Sequence, residues 1–223
     1  MAFDCILLVG FGDLAPLAAE AAARYPQCEI HFAQTAAAGL AHVRAGRIFL
    51  QPLYLLPGFE YEKLCREAAA YPGQATVGTP LLHAENAVAS LAKILLAEHV
   101  ENPREQAVLF VGHGSAHPAG RLYAQLNTLL REQSEGRAAL GVLDGQPDFA
   151  DAQSWITQNK LNRLRLAPLM LHAGKHVQRE IIGDGAESWR TRLESAGLEV
   201  CPVNRGLLEY GAVREMVFNG LPL

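Results

Sequence analysis

The chain carries one structural plan twice. Cys5-Ile6-Leu7-Leu8-Val9-Gly10-Phe11-Gly12 matches Ala107-Val108-Leu109-Phe110-Val111-Gly112-His113-Gly114 at an offset of 102 residues. Arg47-Ile48-Phe49-Leu50-Gln51-Pro52-Leu53-Tyr54-Leu55-Leu56-Pro57-Gly58 matches Arg163-Leu164-Arg165-Leu166-Ala167-Pro168-Leu169-Met170-Leu171-His172-Ala173-Gly174 at an offset of 116. A repeat this long signals a duplicated domain, not a solenoid of short units. Each copy alternates apolar runs with alanine- and leucine-rich stretches. Strands are expected at 4–9, 28–32, 47–53, 75–79, 107–111, 139–143, 163–169 and 198–202, and helices at 15–24, 35–45, 59–70, 85–98, 119–133, 148–158, 176–195 and 208–219. Continuous apolar strands in β-α-β order predict an α/β fold of two similar, doubly wound parallel-sheet domains, residues 1–100 and 101–223. The polar segment 98–106 is the expected linker. Two such domains would enclose a cleft, a preferred place for ligands.

Composition narrows the function. At 223 residues, half of them hydrophobic and 19% charged, the chain can bury a sizeable core. A net charge of −4 argues against a nucleic-acid or membrane-surface partner. The four cysteines, Cys5, Cys28, Cys65 and Cys201, are scattered, which implies neither a thiolate zinc site nor a disulfide framework and points to a reducing cytoplasm. The first apolar run is short and lacks a basic flank, so it reads as a strand rather than a signal peptide. No stretch reaches the ~18 apolar residues of a spanning helix.

The copies differ where chemistry is expected. Phe11 in the first corresponds to His113 in the second, and Phe59-Glu60 to Lys175-His176. His113 directly follows one expected strand and His176 follows another, and open parallel sheets bind ligands at the carboxyl ends of their strands. Imidazole is a metal ligand that also moves protons near neutrality. The glycines on either side of His113 let a ligand approach the backbone. Asp144 ends a third strand at the same expected edge, although Asp144-Gly145 also fits an ordinary turn. Two imidazoles and a carboxylate suit Co²⁺, Ni²⁺, Fe²⁺ or Zn²⁺ without choosing among them. His172 lies four residues before His176, with Gly174 between them marking a loop; His117, beside Pro118, reads as a helix-entry residue. His31, His42, His83 and His99 read as surface or cap residues, His83 being the one that could face the cleft.

Other motifs carry less. Gly10-Phe11-Gly12-Asp13 lacks the third glycine and the lysine of a phosphate loop. In Gly112-His113-Gly114-Ser115 the serine is misplaced for a nucleophile elbow. His172 and His176 lack the glutamate of the zinc-protease motif.

Taken together, several segments resemble the anaerobic sirohydrochlorin cobaltochelatases, class II chelatases that work without ATP. They are Gln51-Pro52-Leu53-Tyr54, Gly58-Phe59-Glu60-Tyr61-Glu62-Lys63, Gly112-His113-Gly114, Gly141-Val142-Leu143-Asp144-Gly145-Gln146-Pro147, Pro168-Leu169-Met170-Leu171-His172-Ala173-Gly174-Lys175-His176, Gly183-Asp184 and Glu187-Ser188-Trp189. The resemblance implies two α/β domains with a tetrapyrrole between them and insertion of Co²⁺, with Ni²⁺ or Fe²⁺ as alternatives, in cobalamin biosynthesis. The ion is then a substrate, and no prosthetic group is implied. The family's metal ligands fall on His113, His176 and Asp144, and the last stands where relatives usually carry glutamate. Phe11, Gly12, Tyr54, Gly112, Gly114 and His172 are the implied substrate contacts. Tyr54 stands where relatives often have histidine, and the first half is shorter between His31 and Arg47.

On this reading His113 and His176 are the catalytic pair. They bind the ion and accept a pyrrole proton, with Asp144 completing the shell or polarising a histidine. Arg121, Arg179 and Arg205 are candidates for the substrate's carboxylates. The expected partner is a small tetrapyrrole, with no nucleic acid and no membrane, for a cytoplasmic monomer or homo-oligomer. A non-catalytic tetrapyrrole or metal carrier is the alternative.

Overall fold

The computed structural model describes residues 3–44, 46–100 and 107–222. It contains two four-stranded sheets, and every pairing in both is parallel. The first has the order β2-β1-β3-β4, from β1 (Cys5–Gly10), β2 (Glu29–Ala33), β3 (Arg47–Leu53) and β4 (Gln74–Val77). The second repeats that order as β6-β5-β7-β8, from β5 (Val108–Gly114), β6 (Ala138–Asp144), β7 (Arg163–Leu169) and β8 (Glu199–Pro202). All eight strands fall at or within three residues of the expected positions. The duplication extends to register, because Val9 faces Pro52 as Val111 faces Pro168. Those prolines are tolerated in inner strands because the ladder to the outer neighbour has already ended, at Leu50 opposite Val77 and at Leu166 opposite Pro202.

The helices are α1 (Ala15–Arg24), α2 (Ala36–Leu40), α3 (Phe59–Ala69), α4 (Glu85–His99), α5 (Arg121–Gln133), α6 (Phe149–Gln158), α7 (Trp189–Ser195) and α8 (Gly211–Phe218). Two expectations need correction. The helix expected over 35–45 stops at Leu40, and the one expected over 176–195 is broken. A π-helical turn at Val177–Ile181 ends before Gly183, and α7 starts afresh at Trp189. Chain geometry at Gly183 explains the break, since a Cβ there would lie 2.3 Å from the Gln178 carbonyl oxygen.

By packing, the chain separates into two compact units, Met1–His83 with Gly211–Leu223, and Ala84–Tyr210. Against a division at residue 100, α4 goes with the second unit and α8 with the first. Helix α4 presents Val88, Leu91, Ala92 and Leu95 to that unit and packs on α5. Helix α8 is tied back by Arg24 Nη1 to Glu215 (2.9 Å), Arg214 Nε to Glu20 (2.8 Å) and the Arg24 guanidinium over the Phe218 ring. Of the expected linker, residues 101–106 lie outside the described residues, and 98–99 belong to α4.

Each unit has its own core. In the first, Leu7, Val9, Ile48, Leu50 and Leu64 are fully buried between the sheet and α2 and α3. In the second, Leu109, Val111, Leu166, Trp155 and Leu193 are buried likewise, with Phe149 and Trp189 edge to face at 5.0 Å. Gly141 makes room for that tryptophan, whose ring carbon lies 2.4 Å from where a Cβ would stand. Such packing fixes the strand ends rigidly.

Candidate metal site at the carboxyl edge of the second sheet

In the order β6-β5-β7-β8 the chain leaves β5 toward one side of the sheet and β7 toward the other. The carboxyl ends of β5 and β7 therefore form the topological switch point, where open α/β sheets leave a crevice for ligands. His113 emerges at the end of β5 after four fully buried residues, Val108–Val111, and is itself exposed. Small neighbours make this possible. A side chain on Gly112 would meet the Tyr123 ring at 2.8 Å, and Gly114 takes φ +90° with its backbone packed against Asp144.

From the neighbouring strand, β7 ends at Leu169 and the loop beyond it reaches His176 at the mouth of the π-helical turn. The His113 and His176 rings stand edge to face, their centres 5.1 Å apart at 79°. Two residues that are 63 positions apart in sequence thus meet through the pairing of β5 with β7. The His176 Nδ1 lies 3.1 Å and 3.2 Å from the two carboxylate oxygens of Glu180. Both side chains are about half exposed, at 58% and 48%. Sequence reasoning missed Glu180. Its signal was the four-residue spacing from His176, which puts the two side chains on one face of a helical turn.

Asp144 ends β6 at the same edge, but it is in register with Gly114 rather than His113. Side chains alternate across a strand, so Asp144 is out of phase with His113, and its short side chain lies exposed ahead of Gly145 at φ +101°. No group of three or more His, Cys, Asp and Glu side chains able to hold a metal exists among the described residues. The structure gathers the two imidazoles and leaves the carboxylate aside.

His172 lies on the same loop after β7, four residues before His176. Its loop is pinned by Leu207 N–H to the Met170 carbonyl (2.8 Å) and Leu208 N–H to the Leu171 carbonyl (3.1 Å), with Gly206 against the His172 backbone. Arg205 is also occupied locally. Its guanidinium covers the Tyr210 ring at 3.9 Å, donates to the Glu209 carbonyl at 2.7 Å and reaches Glu98 at 3.5 Å. It is therefore a structural residue, whereas Arg121 and Arg179 are exposed at the start of α5 and in the π-helical turn.

At the matching edge of the first sheet, aromatic residues stand among the described residues where the second sheet has His113. Phe11, more than half exposed, and Gly12 follow β1, and Tyr54 follows β3, with the two aromatic rings 6.1 Å apart. Gly12 at φ +88° repeats Gly114 at φ +90°. Burial, followed by the charges of Glu60 and Glu67, pushes the Tyr54 phenol up to about 12.

The remaining histidines are structural. His117 caps the short 3-10 turn at Pro118–Gly120 by accepting from Ala119 N–H at 3.0 Å. His42 meets the Ala38 carbonyl, His83 meets the Pro80 carbonyl and His31 meets Glu29. His99 corrects the surface reading, because it is only 2% exposed, lies edge-on to Phe110 and bonds the Tyr210 hydroxyl at 2.9 Å. Burial, and then Arg165 and Arg205, holds its pKa down at about 4.

Residues 18–221 match the family model for cobalt chelatase (CbiK). A curated relative from Nitratidesulfovibrio vulgaris, sirohydrochlorin cobaltochelatase CbiKC, is 34% identical over 170 residues, 73% of this chain and 60% of the relative. Sirohydrochlorin cobaltochelatase of Salmonella typhimurium is 30% identical over 172 residues, 76% of this chain and 65% of the relative. The chain thus spans somewhat under two thirds of the length of these relatives. Among solved structures, SirB from Bacillus subtilis with Fe3+ superposes with a TM-score of 0.58 at 20% identity, covering 98% of this chain and 94% of that one. DR2241 from Deinococcus radiodurans, a multi-domain protein described as structurally similar to chelatases, gives 0.64 at 16%, covering 99% and 54%. These likenesses concern the fold. The family match over most of the length establishes the relationship: the chain belongs to the cobalt chelatase (CbiK) family.

Proposed function

We propose that the chain inserts Co²⁺ into sirohydrochlorin without ATP, as a step of cobalamin synthesis, with His113 and His176 as the working pair. The observation that carries this reading is the meeting of the two rings at the switch point, 5.1 Å between centres, in a chain of this family. An ion about 2.1 Å from an imidazole nitrogen lies about 3.2 Å from the ring centre, so two imidazoles on one tetrahedral ion have centres about 5.2 Å apart. The observed spacing suits such a shared ion.

A two-histidine grip also suits the task. A chelatase must hold its metal long enough to present it and weakly enough to release it, and a closed four-ligand site would retain it. The inner N–H protons of the macrocycle must leave as the ion enters, and an imidazole released by the metal is positioned to accept one. Phe11 and Tyr54 of the first unit carry aromatic faces of the kind on which flat macrocycles stack, and in the second unit Gly112 and Gly114 keep the backbone open beside His113. Arg121 and Arg179 are the exposed cations for its carboxylates.

The test is an anaerobic insertion assay followed by absorbance, with Co²⁺, Ni²⁺ and Fe²⁺ offered singly and in competition. Insertion of Co²⁺ above the spontaneous rate, lost in His176→Ala, is expected. Wild-type protein that binds sirohydrochlorin without accelerating insertion would favour a carrier instead.

A further inference from the structure

Resting on the reading of His176 as a metal-gripping residue, we infer that Glu180 is a positioning residue that sets the tautomer and direction of the His176 ring. A carboxylate can only accept, so the contacts of 3.1 Å and 3.2 Å require that Nδ1 carry the hydrogen. The lone pair then lies on Nε2, the nitrogen on the far side of the ring from Glu180. This is the form a metal-binding imidazole needs, and a carboxylate behind the ring makes the ligand nitrogen more basic.

The platform beneath the pair is firm although the pair itself is half exposed. Val177 and Ile181, which flank the segment carrying Glu180, are fully buried in the core of their unit. The turn closes through Ile182 N–H to the Val177 carbonyl at 3.0 Å, and Gln178 is tied to Asn204 at 2.6 Å. Wide π-helical turns recur at functional sites because they re-aim side chains. Here the turn carries the carboxylate that steadies His176, and the His113 ring packs edge to face against the same imidazole at 5.1 Å. An ordinary surface pair at this spacing would only trim stability and would be indifferent to tautomer.

The experiment separates these roles on the full chain, without tetrapyrrole. Nitrogen NMR of histidine-labelled protein reads the His176 tautomer, calorimetric titration with Co²⁺ alone reads its grip, and thermal unfolding checks the fold. The wild type should show His176 as the Nδ1–H tautomer. Glu180→Ala and Glu180→Gln should mix the tautomers and weaken Co²⁺ binding about tenfold or more, in the range typical of outer-shell partners. Glu180→Asp should recover part of the loss. Melting temperatures close to the wild type in all three variants would assign the loss to positioning. Wild-type His176 in the Nε2–H form, or variants that bind Co²⁺ as tightly as the wild type, would overturn the inference. Because no step uses sirohydrochlorin, failure of insertion activity would leave this result intact and count only against the proposed function.

Discussion

A side chain on Gly114 would place its Cβ 1.7 Å from the carbonyl oxygen of Asp144, so β5 and β6 reach the sheet edge in direct backbone contact. The same glycine sits at φ +90°, which L side chains rarely adopt. Gly114→Ala therefore has to part the strands just beyond His113. It should cost at least about 2 kcal/mol, measured by urea unfolding. Its Co²⁺ affinity should also fall, because the shift begins one residue from the imidazole.

Ser188 is the remote support of the His176 turn. Only 1% exposed, it caps α7 by accepting from Thr191 N–H at 3.1 Å and donates to the Gly183 carbonyl at 2.6 Å. Ser188→Ala removes both bonds and leaves buried groups unmatched. The loss should be about 1–2 kcal/mol in urea unfolding, with slower Co²⁺ insertion as Gly183 loosens.

His99 makes stability depend on pH. Its folded-state pKa of about 4 lies below the ordinary value near 6.5, so the unfolded chain takes up its proton first. The contribution is fully present above about pH 6.5 and is lost as pH falls toward 4, by about 3 kcal/mol in total. His99→Gln should flatten the fall in urea midpoint between pH 7 and pH 4.5. Equal slopes in variant and wild type would locate the acid sensitivity elsewhere.

Asp144 gives a contrast within one edge. Because its side chain is out of phase with His113 and joins no metal-holding group, Asp144→Ala should change Co²⁺ affinity less than about threefold in titration calorimetry. His113→Ala should lose at least about a hundredfold.

Most of the scaffold was legible because the determinants are local. Long apolar runs between helical stretches marked all eight strands, and duplication implied that the two sheets share one order. What escaped was set by geometry that residue types do not encode. The helix through 176–195 read as continuous until the close approach of Gly183 to the Gln178 carbonyl broke it. His99, at a helix end beside a polar segment, looked exposed, yet the Tyr210 hydroxyl and Phe110 draw it inside. The meeting of His113 and His176 was legible from their places after strands, whereas the register of Asp144 with Gly114 was not, since a strand end gives the edge but not the face. Glu180 was visible only as half of a four-residue spacing. No helix among the described residues is long and apolar enough to cross a membrane, in keeping with the short apolar runs of the sequence.

The most direct test of the account is anaerobic Co²⁺ insertion into sirohydrochlorin by the wild type, His113→Ala and His176→Ala, with Co²⁺ affinity measured on the same samples. The account predicts insertion well above the spontaneous rate for the wild type, and at least about a hundredfold loss of both rate and affinity in either variant. A double variant should be little worse than each single one. Either variant inserting cobalt at the wild-type rate would contradict it.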